Sequence, residues 1–221
     1  MKTYSNLYPF VYDFANLYKA YLKARKGKRY QDKVLQFAAQ LEDNLFAIQA
    51  ELINHTYRTG RYRRFYVHDP KTRPVAALPF KDRVVQHALC NVIEPLFEKS
   101  FIYDSYACRK FKGTHAGANR VTEFLKSAQR KWGKVYCLKA DIAQYFPSVN
   151  HRILKAIIRK KIACPDTLQL IDEIIDSGGG EGRGLPIGNL TSQLWANVYL
   201  DQLDHFIKET LREKYYVRYM D

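Results

Sequence analysis

Two short apolar runs in this chain each end in a carboxylate: Val135-Tyr136-Cys137-Leu138-Lys139-Ala140-Asp141 and Tyr215-Tyr216-Val217-Arg218-Tyr219-Met220-Asp221. Runs of this length and composition predict strands. A strand that stops at an aspartate presents the carboxylate at its terminus, where a cation can be held. Read alone, either aspartate is as readily a helix cap or a turn former. Helical pattern separates the two runs, so the aspartates meet only if their strands are neighbours in one sheet. Paired there, they have the composition of a two-metal site that activates a hydroxyl and stabilises a leaving pyrophosphate.

The rest of the chain is largely of helical period. Val34, Ala38, Leu41, Leu45, Ile48 and Leu52 recur at spacings of four and three, which predicts one long amphipathic helix from Gln31 to about His55. Val84, Ala88, Val92 and Leu96, with Val85, Leu89 and Ile93 beside them, predict a helix from Lys81 to Glu98. Further helices are expected over 114–131, 151–161, 166–176 and 190–211. The glycine cluster Gly178-Gly179-Gly180 with Gly182 and Gly184 breaks the chain before the last of these. Between Arg58 and Arg83, short apolar stretches punctuated by Pro70, Pro74 and Pro79 predict a basic hairpin, fit either to grip phosphates or to keep a solvated edge from aggregating.

Charge narrows the function classes. The chain has 221 residues, a formal net charge of +14, 17 Tyr and 12 Phe, with 47% hydrophobic residues. This is enough to bury a core in one globular unit with an appended N-terminal region. A basic, aromatic surface suits a polyanion whose bases can be stacked upon. Ribosomal and membrane-surface proteins share the basic bias, but the apolar content argues against an extended ribosomal tail. Residues 1–30 are rich in Tyr and Lys and read as a solvated basic arm or a nucleic-acid contact.

Cys90, Cys108, Cys137 and Cys164 lack zinc-ligand spacing and read as buried thiols of a reducing cytoplasm. Lys112-Gly113-Thr114 lacks the upstream glycine and strand of a phosphate-binding loop. His87, His115, His151 and His205 read as surface or packing residues. With no apolar run of spanning length and no cleavable leader, the protein is expected to be cytoplasmic, without a membrane partner.

Five blocks in one order bring a resemblance: RPVAALPFKDR (73–83), SYACRKFKGTH (105–115), KADIAQYFPSVNH (139–151), GLPIGNLTSQ (184–193) and the terminal YMD. Together they resemble reverse transcriptases of the bacterial group II intron, retron and diversity-generating types, with YMD matching the start of the Y-x-D-D motif. The resemblance implies an α+β right-hand polymerase: fingers and a partial palm, whose antiparallel sheet is backed by helices, with the thumb absent. The expected division is a basic arm and amphipathic helix over 1–60, fingers over 61–134 and an incomplete palm over 135–221. It implies an RNA-directed DNA polymerase, bacterial or phage-encoded, that copies an RNA template from a DNA or RNA primer with dNTPs.

The same resemblance implies roles for single residues. Asp141 and Asp221 would be catalytic carboxylates holding two Mg²⁺ ions, or Mn²⁺ in their place, with the Ile142 carbonyl as a further ligand. Phe146 would be the steric gate against a ribose 2′-hydroxyl. Lys71, Arg73, Arg109, Ile187 and Gly188 would meet the nucleotide, with Gly188 allowing close backbone approach. Arg61, Arg63, Arg64, Lys110, Lys112 and Gln193 would touch nucleic acid. Ile187, standing where most relatives carry Gln, and the Ser192-Gln193 ending resemble the diversity-generating branch, which copies adenines with frequent errors and works with a small basic accessory protein. Retron-like and phage-defence enzymes are the near alternative, and a non-catalytic RNA-binding fragment is the alternative from another class. Ending inside Y-x-D-D, the chain is expected to be a fragment without polymerase activity of its own.

Overall fold

A computed structural model describes residues 2–68, 72–178 and 180–221. In chain order it forms α1 (Tyr8–Tyr12), α2 (Phe14–Ala24), α3 (Asp32–Ala39), α4 (Leu41–Ile53), β1 (Arg63–His68), β2 (Thr72–Ala77), α5 (Phe80–Glu98) and α6 (Thr114–Trp132). There follow α7 (Tyr145–Ser148), α8 (His151–Arg159), α9 (Pro165–Gly178) and α10 (Leu190–His205), which continues into a π-helical turn, Phe206–Thr210. The mixed helix-and-hairpin architecture is the α+β class expected for fingers and palm.

Helix α5 is the centre of the core. Its apolar row places Val84, Val85, Ala88, Leu89 and Ile93 out of solvent, and α1, α2, α3 and α10 pack around it. The N-terminal segment is not a solvated arm. Val11, Leu17, Ala20 and Tyr21 are buried, and α2 lies along α5. Its lysines occupy the outer face: the apolar stripe is what α5 sees, and the basic composition is what solvent sees.

The long helix expected from Gln31 to His55 is two helices. Gln40, at φ −125° and ψ 49°, leaves the helical region, so α3 and α4 meet at a bend. The seven-residue apolar repeat survives the bend because Val34 on one side and Leu45, Ile48 and Leu52 on the other all reach the same core.

The basic hairpin forms as expected, with β1 and β2 antiparallel in the register Arg63–Ala77 through His68–Thr72. It is the sheet among the described residues. Val135 to Ala140, expected as a palm strand, carries no ladder there, and Tyr136 and Leu138 are 82% and 93% exposed. Strand propensity does not suffice: a strand's row of N–H and C=O groups is satisfied by a neighbour, and without one an apolar hexapeptide stays open. The terminal run makes one parallel bridge, Arg218 with Ser105, rather than a strand beside 135–140.

Candidate active site

Three of the five sequence blocks, 73–83, 139–151 and 184–193, converge on the loop 184–189. Tyr145 begins α7 behind Gln144, which sits in the left-handed region at φ 52° and turns the chain sharply after Asp141. Asp141 and Ile142 lie on the exposed run leading into that turn. The Tyr145 hydroxyl, pushed well above its ordinary range first by burial, with Arg218 opposing and Asp221 among the groups adding to the rise, donates to the Ala196 carbonyl at 2.7 Å. Phe146, half-buried beside it, accepts from the Leu185 N–H at 2.8 Å through its carbonyl. The gate candidate is thereby tied to the block that begins at Gly184.

The fingers hairpin closes on the same loop. The Ala76 N–H donates to the Ile187 carbonyl at 2.8 Å. Gly188, at φ +118°, comes so near that a Cβ there would stand 2.8 Å from the Ala76 carbonyl oxygen and 3.0 Å from Val75 Cγ1. No other residue type fits this approach without movement. Arg73 shares a hairpin face with Val75 by strand alternation, and is exposed. Asn189 donates to the Tyr62 hydroxyl at 2.8 Å, and Tyr62 meets Ser177 at the end of α9 at 3.2 Å. Ile187 and Gly188 thus act as a joint between hairpin and palm.

The run that leads to Asp221 is anchored three residues upstream. Arg218, buried inside the apolar terminal run, forks onto the wholly buried Asp204 of α10, with its Nε and Nη2 at 2.8–3.0 Å from the two carboxylate oxygens. Its remaining donors reach Asn197, Ser105 and the Met220 carbonyl at 2.7–3.1 Å. Tyr216 adds a hydrogen bond to Asp204 at 2.7 Å. Backbone bonds between Asp104 and Arg218, and between Arg218 and Tyr106, complete the anchor at 3.0 Å each. An Arg in a run of aromatic and apolar residues was the sequence signal for this pair, since a cation enters such a run when an anion awaits it.

Other nominated residues divide. Arg61, Arg63, Arg64 and Lys110 are exposed, as is Gln193 in the first turn of α10. Arg109 is engaged within the chain: its guanidinium is buried, bound to Glu98 at 2.7–2.8 Å and to the Ile102 and Ser105 carbonyls at 2.7 and 2.9 Å. It staples the end of α5 to the following loop. Lys112 is also occupied, donating to the Tyr103 carbonyl at 2.9 Å with its ammonium 3.5 Å from the Tyr103 ring centre. Lys71 lies outside the described residues. Of the four cysteines, Cys90 and Cys164 are buried as expected, but Cys108 and Cys137 are exposed.

The donor chemistry suits a hard cation. Asp141 and Asp221 offer carboxylate oxygens and Ile142 a carbonyl, and a Mg²⁺ site draws one or two protein carboxylates and completes itself with water and phosphate oxygens. Among the described residues no group of three His, Cys, Asp or Glu side chains gathers into a closed cage.

A model of the reverse transcriptase (RNA-dependent DNA polymerase) family matches residues 67–221. The chain belongs to that family. Its relatives include protein YkfC of Escherichia coli (strain K12), 27% identical over 180 residues, which covers 77% of this chain and 47% of YkfC. The group II intron-encoded protein LtrA of Lactococcus lactis subsp. cremoris is 28% identical over 177 residues, covering 75% of this chain and 28% of LtrA. The chain thus spans less than half the length of these curated relatives. A solved partial Cas6-RT-Cas1-Cas2 complex shares the fold at a TM-score of 0.58 and 21% identity, over 92% of this chain and 35% of the other. Among the described residues no helix is long and apolar enough to cross a membrane.

Proposed function

We propose that this chain supplies the fingers and part of the palm of an RNA-directed DNA polymerase. The observation that carries the reading is the convergence on residues 184–189. The hairpin of the first block, the Phe146 turn of the third and the glycine loop of the fourth are joined there by backbone hydrogen bonds. Family membership, with relatives of the group II intron type, supports it independently. The division into 1–60, fingers 61–134 and palm 135–221 is part of the proposal.

In this reading Asp141, Asp221 and the Ile142 carbonyl hold Mg²⁺, or Mn²⁺ in its place. When bound, the metal supplies charge stabilisation for the triphosphate and lowers the cost of deprotonating the primer hydroxyl. The chain's own residues position the reactants. Arg73, with Lys71, clasps phosphate oxygens from the hairpin side, bidentate geometry being open to the Arg. Phe146 bars a ribose 2′-hydroxyl. Arg61, Arg63, Arg64, Lys110 and Gln193 line the path of RNA template and primer. Arg218 acts as a positioning residue for Asp221.

Ile187 supports the finer assignment to the diversity-generating branch, with error-prone copying. An aliphatic side chain there offers the nascent pair no amide hydrogen bond, and a polar constraint on pairing is removed. A small basic accessory protein, and a bacterial or phage origin with cytoplasmic location, belong to the same proposal. A retron-like enzyme would carry the same core chemistry and differ in its template.

Primer extension on an RNA template with Mg²⁺ tests the reading, comparing residues 1–221, a full-length protein carrying them, and that protein with Asp141→Asn. Incorporation by the full-length form, lost by at least about a thousandfold in the variant as a metal-ligating carboxylate requires, is expected. RNA binding without incorporation under either metal would replace the polymerase with a binding module.

A further inference from the structure

We propose that His151 is a positioning residue for nucleotide selection, holding the glycine loop and, through it, the spacing between Phe146 and Ile187. The inference rests on the polymerase reading above and adds a residue to it. Sequence alone suggests only surface or packing for this histidine; the structure gives it a specific partner.

His151 opens α8 behind Asn150, whose side chain caps the helix by accepting from the Ile153 N–H at 3.1 Å. Its own N–H, one of the donors a helix start leaves unsatisfied, donates to the Gly182 carbonyl at 2.9 Å. Its ring Nε2 meets the Gly184 carbonyl at 2.8 Å. A carbonyl only accepts, so Nε2 carries the proton. The opposite ring nitrogen faces Asp176 on α9 at 3.5 Å, and that carboxylate is shared with Lys155 at 2.7 Å. His151 is 4% exposed, so its ring reaches the half-buried Gly184 carbonyl from the interior side.

Apart from the His151 ring, main-chain hydrogen bonds hold this segment before Leu185. Glu181 and Gly182, at φ 55° and 72°, form the two centres of a tight turn closed by Arg183 N–H on the Gly180 carbonyl at 3.2 Å. Gly184 follows at φ +95°. Three positive-φ residues in four make a segment with wide conformational freedom, and the apolar anchorage begins only at Leu185. The Gly184 N–H reaches the Val149 carbonyl at 2.9 Å and the Leu185 N–H reaches Phe146 at 2.8 Å. With His151 closing the far side of Gly184, the backbone from 182 to 185 is pinned against 146–151. Two residues further on, Ile187 joins the fingers. Loosening the His151 end therefore moves the loop that spaces Phe146 from Ile187, and does so without touching a metal ligand.

The Arg183–Gly184 bond is a tryptic site inside the pinned segment, which gives a readout independent of catalysis. In the full-length protein, His151→Ala is expected to speed tryptic cleavage there by about tenfold, the scale of a lost buried hydrogen bond to a backbone carbonyl. It is expected to raise dNTP KM several-fold with a smaller change in kcat, and to narrow the preference for dNTP over rNTP. His151→Gln, whose amide nitrogen reaches the Nε2 position, restores all three; His151→Asn, one bond shorter, does not. The Gln and Asn pair keeps the test valid if the Ala variant fails to fold. If the parent incorporates nucleotide and the Gln and Asn variants match it in cleavage, KM and sugar preference, the positioning role is overturned alone. If the parent incorporates nothing under any metal, the polymerase reading falls and takes the positioning role with it.

Discussion

Asp201 on α10 is buried, with one carboxylate oxygen lacking a hydrogen bond among the described residues and His205 Nε2 at 3.5 Å. Burial pushes its carboxyl up to about 6, with His205, Arg218 and Lys161 pulling down and Asp204 adding to the rise. An acid held above its unfolded value binds its proton more tightly in the fold, so this contribution is full below 3.8 and is lost as pH rises to about 6. Burial would lower His205, but its hydrogen bond to Glu209, the Ser100 carbonyl and Asp201 outweigh that and leave it raised. Its contribution too is present at low pH and lost on raising pH. Asp201→Asn should therefore gain stability over the parent as pH climbs from about 4 to about 7, measured by denaturant unfolding. A parallel pH dependence in both proteins would show that the carboxyl titrates normally. At the neighbouring anchor, Arg218→Met leaves Asp204 buried and unpaired, and should cost about 3–5 kcal/mol in the same measurement. Gly188→Ala confronts both the Ala76 carbonyl and a φ of +118°. A cost of about 1–3 kcal/mol is expected, together with weakened primer extension.

At the scale of elements, legibility followed the range of the forces involved. Helices α5, α6, α8, α9 and α10 could be read from their period because an apolar stripe dictates its own burial. The α3–α4 bend could not, since the break at Gln40 leaves the stripe in register. Helices α1 and α2 were hidden by composition: tyrosine and lysine suggest a wet arm, while Leu17 and Tyr21 are what α5 receives. Leu17→Ala should therefore cost about 2–5 kcal/mol, as for any core leucine, where a solvated arm would register almost nothing. The expected palm strand at 135–140 failed for the opposite reason, because a strand is a property of a pair. Of the candidate site, the family's motifs and their order were legible, while the expected meeting of the Asp141 and Asp221 strands in one sheet did not form. Arg109 and His151 were not legible, because a side chain's partner depends on which carbonyl the fold sets before it.

The 221 residues together carry +14, and the exposed cations Arg61, Arg63, Arg64 and Arg73 lie on or beside the hairpin that meets Ile187 and Gly188. Binding to single-stranded RNA should weaken steeply with salt, log affinity against log salt falling with a slope of about −0.7 per phosphate neutralised. Reversing Arg63 and Arg64 to Glu should flatten that slope by about one to two phosphates, as read by fluorescence anisotropy across a salt series. An unchanged slope would move the contact off the hairpin.

The joint itself is built from main-chain atoms: an amide of residue 76, a carbonyl of residue 187 and a bare α-carbon at residue 188. Neither partner needs a particular side chain to make it, apart from the missing one at 188. Position 187 contributes its carbonyl to the joint, whatever side chain it carries. The hydrogen bond that joins hairpin to loop therefore does not depend on which side chain stands at 187, and under the proposed reading an exchange between amide and aliphatic there alters the nucleotide's surroundings while that bond stays the same.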